Sequence, residues 1–129
     1  MGAVDSSAAD GRDVIGAVEE LAASSTVRID RPRGSVHPRY PHARYPLDYG
    51  YLEGTTSSDG EGLDVFVGTA RRAGVVGVVL TVDTVKRDVE AKVLLDCTGD
   101  EVALALRFLT GELGLPCHVL RRGDGDAPA

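Results

Sequence analysis

Apolar residues recur with a period of two along several short stretches of this chain, which is the pattern of half-buried strands. Residues 75–82 form a nearly continuous β-branched run and predict a core strand. Residues 26–30, 63–68 and 84–96 alternate apolar with polar or charged side chains and predict three further strands. Residues 116–121 predict a last strand at the edge of the sheet.

The same alternation assigns side chains to the faces of the predicted strands. Asp64 lies on the face opposite to the odd-numbered apolar residues of its strand. Further along, Asp88, Glu90 and Lys92 share one face of a strand. That charged face fits either a functional site or an exposed surface of paired charges, and the pattern alone does not choose between them.

Two segments have the periodicity of amphipathic helices. Residues 12–23 form the first, and Thr98 and Glu101 have the spacing of a capping box that opens the second. The buried stripe of the second helix is predicted to consist of Val102, Ala105 or Leu106, Leu109 and Leu113. Together these segments predict a mainly β (α+β) fold: a small antiparallel OB-like β-barrel of about five or six strands, with one N-terminal and one C-terminal helix.

Composition favours a single domain over residues 1–129, with residues 1–10 and 123–129 disordered. The hydrophobic content of 43% and charged content of 26% are ordinary for a globular protein. A net charge of −6 argues against a nucleic-acid surface, and no apolar run is long enough to span a membrane. No signal-peptide pattern is present, and Cys97 and Cys117 are expected to be reduced, so we expect a cytoplasmic protein.

An acidic, glycine-rich loop over residues 54–62 leads directly into a predicted strand. Asp59 and Glu61 lie on the loop, and Asp64 lies at the start of the strand. Hard carboxylate oxygens of this kind suit Mg²⁺ or Ca²⁺. The alternative is a solvated surface turn, which is common for such sequences.

A proline-rich segment, residues 31–42, precedes this loop and concentrates positive charge next to the carboxylates. Its arginines, Arg31, Arg33 and Arg39, are candidates for binding phosphate oxygens through their planar guanidinium groups. A solvated basic loop that offsets the nearby carboxylates is the alternative. His37 and His42 in the same segment are better explained as hydrogen-bonded structural groups than as zinc ligands.

Two motifs in this order resemble a known family. Residues 45–51 read Tyr-Pro-Leu-Asp-Tyr-Gly-Tyr, and residues 59–64 read Asp-Gly-Glu-Gly-Leu-Asp. The pair is similar to the motifs of the Mg²⁺-dependent soluble inorganic pyrophosphatases of family I, which carry Tyr-Pro-x-x-Tyr-Gly-Tyr/Phe and then Asp-x-Asp-Pro-x-Asp. This chain departs from that pattern at Glu61 and Gly62. The resemblance is strongest over residues 27–69 and weaker over residues 86–96.

The resemblance implies roles for the residues of both motifs. By position, Asp59 would bind metal, Glu61 would help to activate the attacking water, and Asp64 would bridge metals. Tyr49 matches a tyrosine near the metal site and is assigned, with Glu61, to catalysis. Tyr45 is assigned to phosphate binding.

A weaker match further along the chain adds a third carboxylate and a cation. Glu90 and Lys92 are similar to a family Asp-x-Lys pair, which assigns Glu90 to the metal and Lys92 to phosphate. Another metal-binding position of the family falls at Val85, where Asp88 or Asp83 is the candidate substitute.

The resemblance predicts Mg²⁺-dependent hydrolysis of inorganic pyrophosphate to phosphate by a metal-activated water. The partner is then a small-molecule phosphate substrate, and a homo-oligomer is typical of the related enzymes. The Tyr-Lys pair by which they bind phosphate near the C-terminal helix has no counterpart after Glu101. Two alternatives therefore stay open: a phosphohydrolase acting on another phosphate ester or anhydride, and a non-catalytic module that binds metal or phosphate.

Overall fold

The computed structural model describes residues 13–57 and 59–122 of the chain. Residues 1–10 and 123–129, which we expect to be disordered, lie outside the described ranges. The elements are, in chain order, α1 (Val14–Ala23), β1 (Thr26–Arg31), β2 (Asp48–Glu53), β3 (Leu63–Val67), β4 (Val75–Asp83), β5 (Asp88–Leu95), α2 (Gly99–Arg107), a π-helix (Phe108–Glu112) and β6 (Cys117–Arg121).

The six strands form one sheet in the order β1-β2-β3-β5-β4-β6. The mainly β class with two helices is confirmed, and β6 lies at an edge as predicted. Two details differ from the expected antiparallel barrel: β3 and β5 run parallel, and the sheet of the described residues is not closed. Strand alternation assigns the faces of a strand but not its neighbours, so the sequence does not reveal that β5 lies beside β3.

One strand and one strand boundary also differ from the predictions. Residues 48–53 form a strand that the sequence does not predict, because its aromatic and glycine residues follow a proline-rich segment. Residues 84–87, expected to begin a strand, form the turn between β4 and β5. Arg87 in this turn has a φ of 60°, which a continuous strand cannot contain.

Both faces of the sheet are covered by apolar residues. On one face, Ile15 of α1 packs with Val65 and Val93. On the other face, Phe66 and Leu94 pack against α2, the π-helix and the proline-rich loop, which is residues 32–47 between β1 and β2. The predicted stripe of α2 is confirmed: Val102, Ala105 and Leu109 are buried, and Leu106 and Leu113 pack against them.

The start of α2 is tied to the end of β3 by the carboxylate of Glu101. This carboxylate accepts hydrogen bonds from the backbone N–H of Thr98 at 2.8 Å and of Thr69 at 3.0 Å, and from the Thr69 hydroxyl at 2.8 Å. The first contact completes the capping box predicted from the sequence.

Replacing Glu101 by Ala should lower the free energy of unfolding by about 2 kcal/mol, because it removes a helix cap and leaves Thr69 without its acceptor. Burial alone would raise the pKa of Glu101, but the hydrogen bonds from Thr69 and Thr98 lower it. This carboxylate therefore stabilises the fold above its unfolded pKa of about 4.3 and stops doing so as the pH falls through its lower folded pKa. Urea unfolding at neutral and acidic pH checks both effects, with the milder Glu101→Gln as the matched variant. Equal stability of all three proteins would contradict this role.

Candidate active site

The charged residues of β3 and β5 meet because these two strands pair in parallel. Asp64 lies beside Lys92 in the register, and Phe66 lies beside Leu94 two residues further along. Side chains two residues apart share a face, so the face that buries Phe66 and Leu94 carries Asp64 and Lys92 at its other end. The site is thus a continuation of the core surface beyond the part that α2 covers.

Lys92 is the centre of the site. Its ammonium group lies 3.0 Å from Asp64 Oδ2, 2.9 Å from Glu90 Oε1 and 3.0 Å from the Tyr49 hydroxyl. These contacts use all three donors of a lysine. The Tyr49 hydroxyl in turn donates to Asp64 Oδ2 at 2.7 Å. The result is one cation held by two carboxylates and a phenol.

Electrostatics fix the protonation of this group. Burial alone would lower the pKa of Lys92, but contact with Tyr49, Asp64 and Glu90 outweighs it and raises that pKa. Burial is the main cause that raises the pKa of the Tyr49 hydroxyl. At neutral pH the site therefore contains a charged lysine and a neutral tyrosine, which can donate a hydrogen bond but cannot act as a base.

Tyr49 is placed by β2, which packs closely against β1. A Cβ atom on the next residue, Gly50, would lie 1.7 Å from the carbonyl oxygen of Arg28 in β1. Only glycine fits there, which explains the Tyr-Gly-Tyr sequence. The Tyr49 ring then packs edge-on against Phe66, with ring centroids 4.8 Å apart.

Two cavities adjoin this cluster, and Tyr49 and Asp64 line both of them. The smaller, of about 330 Å³, is lined by four carboxylates. Three of them, Asp59, Glu61 and Asp64, are candidates from the sequence. The fourth, Asp30, was missed, because a charged residue in an exposed part of β1 has no sequence signal that separates it from an ordinary surface position.

Asp59 is held in place within its loop. Its Oδ1 accepts hydrogen bonds from the Ser57 hydroxyl at 2.6 Å and from the backbone N–H of Glu61 at 2.9 Å. These two bonds lower the pKa of Asp59, so the residue is a carboxylate at neutral pH. Glu61 itself is exposed and lines the smaller cavity.

The larger cavity, of about 560 Å³, contains the other charged candidates. Glu90 and Lys92 line it together with Asp83 and Asp88. Both aspartates are therefore near the site. Asp88 is 3.9 Å from the ammonium of Lys86.

The proline-rich loop supplies one wall of this cavity. Arg39 and Tyr45 line it, whereas the described positions of Arg31 and Arg33 are not on the surface of either cavity. The backbone N–H of Arg33 donates to Asp48, and Arg31 lies beside Tyr45. A basic segment does not by itself indicate which of its side chains point inward.

The two histidines of this loop differ in position. The ring of His37 lines the larger cavity and stacks on Tyr45, with an angle of 12° between the rings. Burial, together with the charges of Arg31, Arg39 and Lys92, lowers the pKa of His37. His42 lies outside both of these cavities and forms a 3.3 Å hydrogen bond with the carbonyl of Glu112.

The donor chemistry around the smaller cavity fits a hard divalent cation, since Asp30, Asp59, Glu61 and Asp64 offer only carboxylate oxygens. Their side chains, however, do not converge as closely as the ligands of a bound metal ion would. Within residues 13–57 and 59–122, no three His, Cys, Asp or Glu side chains converge closely enough to hold a metal ion. Asp64 instead pairs with Lys92.

A family model described as inorganic pyrophosphatase matches residues 18–91, more than half of the chain. This chain belongs to the inorganic pyrophosphatase family. The resemblance read from its sequence is thereby confirmed. Membership identifies the chain as an inorganic diphosphatase, a hydrolase that acts on pyrophosphate, and implies a divalent metal cofactor.

Comparison with solved structures gives matches to inorganic pyrophosphatases. The enzyme from Helicobacter pylori is 15% identical with a TM-score of 0.50, over 74% of this chain and 81% of that one. The enzyme from Coxiella burnetii is 20% identical with a TM-score of 0.47, over 74% and 82% of the two chains. A comparison with curated protein sequences finds no match. Among the described residues, no helix has the length and apolar character needed to cross a membrane.

Proposed function

We propose that this pyrophosphatase uses Mg²⁺ and hydrolyses pyrophosphate where the two cavities meet, around Tyr49, Asp64 and Lys92. The observation that carries the proposal is the buried Lys92 ammonium, held between Asp64 and Glu90 on the wall of a cavity. A fixed cation beside a set of carboxylates suits a substrate that is itself a dense anion and reaches the site with a metal.

The carboxylates of the smaller cavity are the proposed metal ligands. Asp59 and Asp64 would hold Mg²⁺, with Glu90, and less directly Asp88, completing the set from the larger cavity. When bound, the metal neutralises phosphate charge and makes water more acidic. The raised pKa of Lys92 keeps a positive charge beside these ligands throughout the neutral range.

The substrate oxygens are proposed to bind in the larger cavity. Lys92 lines it and supplies a fixed positive charge, Arg39 offers guanidinium N–H donors to phosphate oxygens, and Tyr45 lies on the same wall. The assignment of Arg31 and Arg33 as phosphate ligands stays a prediction. Tyr49 keeps its proton and orients Asp64 by donating to Oδ2, which is its proposed contribution to catalysis.

Glu61 is the proposed base, because it is an exposed carboxylate that lines the same cavity as the proposed metal ligands Asp59 and Asp64. It would accept the proton of the attacking water. Replacing Glu61 by Gln should lower kcat by about 10²-fold, the usual scale for a positioned acid–base group. Glu61→Asp should change kcat far more than it changes Mg²⁺ affinity, since it moves the oxygens without removing their charge.

Steady-state kinetics and calorimetry on these two variants measure the two effects separately. Glu53→Gln is a suitable control, because Glu53 forms an exposed ion pair with Arg28 outside both cavities. An unchanged kcat in Glu61→Gln would rule out the catalytic role.

Phosphate release from a panel of substrates tests the proposed function itself. Pyrophosphate with Mg²⁺ should be hydrolysed, whereas sugar phosphates should not, and chelation of the metal should stop the reaction. Turnover of a sugar phosphate in preference to pyrophosphate would instead support a phosphohydrolase of different specificity. Metal binding without any turnover would support a non-catalytic module.

The cellular setting is part of the same proposal. Composition favours a single domain over residues 1–129, the cysteines expected to be reduced favour a cytoplasmic location, and the family resemblance favours a homo-oligomeric state. Both cysteines are free, and burial raises the pKa of Cys97 to about 12. A thiol of that kind is unreactive at neutral pH.

A further inference from the structure

The larger cavity extends from its charged groups to an apolar wall. The sheet and its β4–β5 turn supply the charged groups, and the π-helix and the loop after it supply Phe108, Leu109, Leu113 and Leu115. Phe108 and Leu109 are core residues, whereas Leu113 and Leu115 are only partly buried. Their uncovered apolar surface therefore faces the same space as Lys92.

This apolar wall is built by an unusual turn. The backbone N–H of Leu113 donates to the carbonyl of Phe108, and that of Leu115 donates to the carbonyl of Leu109. The first bond spans five residues, which is the spacing of a π-helix, a form that is rare and is often found at functional sites. The second bond spans six residues and closes the turn that follows the π-helix. Gly114 follows with a φ of 69°, which lets the chain turn back toward β6.

Aromatic rings on the proline-rich loop add to the same cavity. His37 and Tyr40 both line it, with ring centroids 5.1 Å apart. Tyr40 is partly exposed. A flat organic group in the cavity would therefore meet aromatic rings as well as leucine side chains.

Pyrophosphate makes no use of such a wall, because it carries no carbon and gains nothing from apolar contact. The volume of about 560 Å³ also falls in the range of about 300–1,000 Å³ that suits organic ligands of moderate size. We propose that this site also binds and hydrolyses phosphoanhydrides with an aromatic organic group, of the nucleoside diphosphate class. The nucleobase lies against Tyr40 and Leu113, and the phosphates lie at Lys92.

The inference rests on the proposed function, since it uses the same charged groups for the same bond cleavage. In the reaction, a water oxygen forms a bond to the terminal phosphorus, and the bridging P–O bond breaks. The bridging oxygen keeps the electron pair and leaves with the nucleoside monophosphate. Inorganic phosphate is the other product, and the proton of the water passes to the proposed general base, Glu61, and then to solvent. No other reactant is needed.

Two measurements on the unaltered protein with Mg²⁺ test the inference. ADP should release phosphate and yield AMP. AMP should also bind more tightly than ribose 5-phosphate by about tenfold, because base stacking on an aromatic side chain is worth a factor of that order. Calorimetry measures this ratio directly, whether or not any substrate turns over.

Leu113→Asp places a charge on the apolar wall and should remove both the preference for AMP and most of the ADP hydrolysis, while pyrophosphate hydrolysis continues. Leu21→Asp is the matched control, since Leu21 is 45% exposed on α1 and both activities should survive. If circular dichroism shows that Leu113→Asp does not fold, Leu113→Ala gives the same comparison with a smaller change.

The outcomes separate this inference from the proposed function. Equal binding of AMP and ribose 5-phosphate, with pyrophosphate hydrolysed and ADP untouched, overturns the inference and leaves the proposed function in place. A failure to hydrolyse pyrophosphate overturns the proposed function, and the hydrolysis inferred from it, whatever AMP does.

Discussion

Asp64→Asn should abolish the binding of Mg²⁺. Asp64 lines both cavities, and its Oδ2 accepts hydrogen bonds from Tyr49 and Lys92. Asparagine has nearly the same shape, so the fold is retained. One carboxylate oxygen becomes an amide nitrogen, however, and the side chain no longer balances the charge of a divalent cation.

Calorimetric titration of the two proteins with Mg²⁺ measures this loss. Asp88→Asn provides the comparison, and we expect a smaller effect there, because Asp88 lies in the larger cavity beside Lys86. If Asp64→Asn binds Mg²⁺ as tightly as the parent protein, Asp64 is not a metal ligand.

Lys92→Met should impair both stability and turnover. The side chain of Lys92 is 7% exposed, and its ammonium is the cation shared by Asp64 and Glu90. Removing it leaves Asp64 with only the Tyr49 hydroxyl and Glu90 with only the more distant ammonium of Lys86, which costs about 3 kcal/mol for a largely buried pair. The rate on pyrophosphate should fall by about 10²-fold or more, the usual effect of losing a group positioned to stabilise transition-state charge.

The pH dependence of this stability difference follows from the direction of the pKa shift. The folded-state pKa of Lys92 is raised, so its contribution is complete below the unfolded value of about 10.4. The contribution then declines as the pH rises toward the folded pKa. Urea unfolding should show a constant gap between the two proteins from pH 7 to 9, and a narrowing gap above about pH 10.

Arg28→Met is the control for this experiment, because the Arg28–Glu53 ion pair is exposed and should contribute less than about 1 kcal/mol. If Lys92→Met were as stable and as active as Arg28→Met, the buried ion pair would have no role in either property.

The sequence predicts the strands of this fold better than their neighbours. Strand alternation correctly places Glu90 and Lys92 on one face, because side chains of a strand alternate whatever the partner. The 3.0 Å contact between Lys92 and Asp64 depends on the parallel pairing of β3 and β5. That pairing joins residues 28 positions apart, and no local pattern specifies it.

Local rules also explain which helical features were found and which were missed. The capping box at Thr98 and Glu101 is a local motif, and the structure forms it. The reach of Glu101 to Thr69 is a tertiary contact and has no local signal. Gly111 and Gly114 predict the end of this helix, and the chain instead continues through Gly111 as a π-helix to Glu112 before it turns at Gly114, whose φ is 69°.

The sequence predicts those residues of the candidate site whose carboxylates lie close together along the chain. Asp59, Glu61 and Asp64 belong to one loop and one strand, and they line one cavity. Asp30 joins them from β1, where it follows Ile29 in an exposed stretch and resembles any surface carboxylate. The arginines of the proline-rich loop were indistinguishable by sequence, and the described structure brings Arg39 to the larger cavity.

The need for a metal at Asp64 is tested by following phosphate release from pyrophosphate as Mg²⁺ is added to the purified, metal-free protein. Hydrolysis should begin only with the metal, saturate as it binds, and be absent in Asp64→Asn over the same range. Hydrolysis that proceeds equally without a metal, or equally in Asp64→Asn, would contradict a metal-dependent pyrophosphatase site at Asp64 and Lys92.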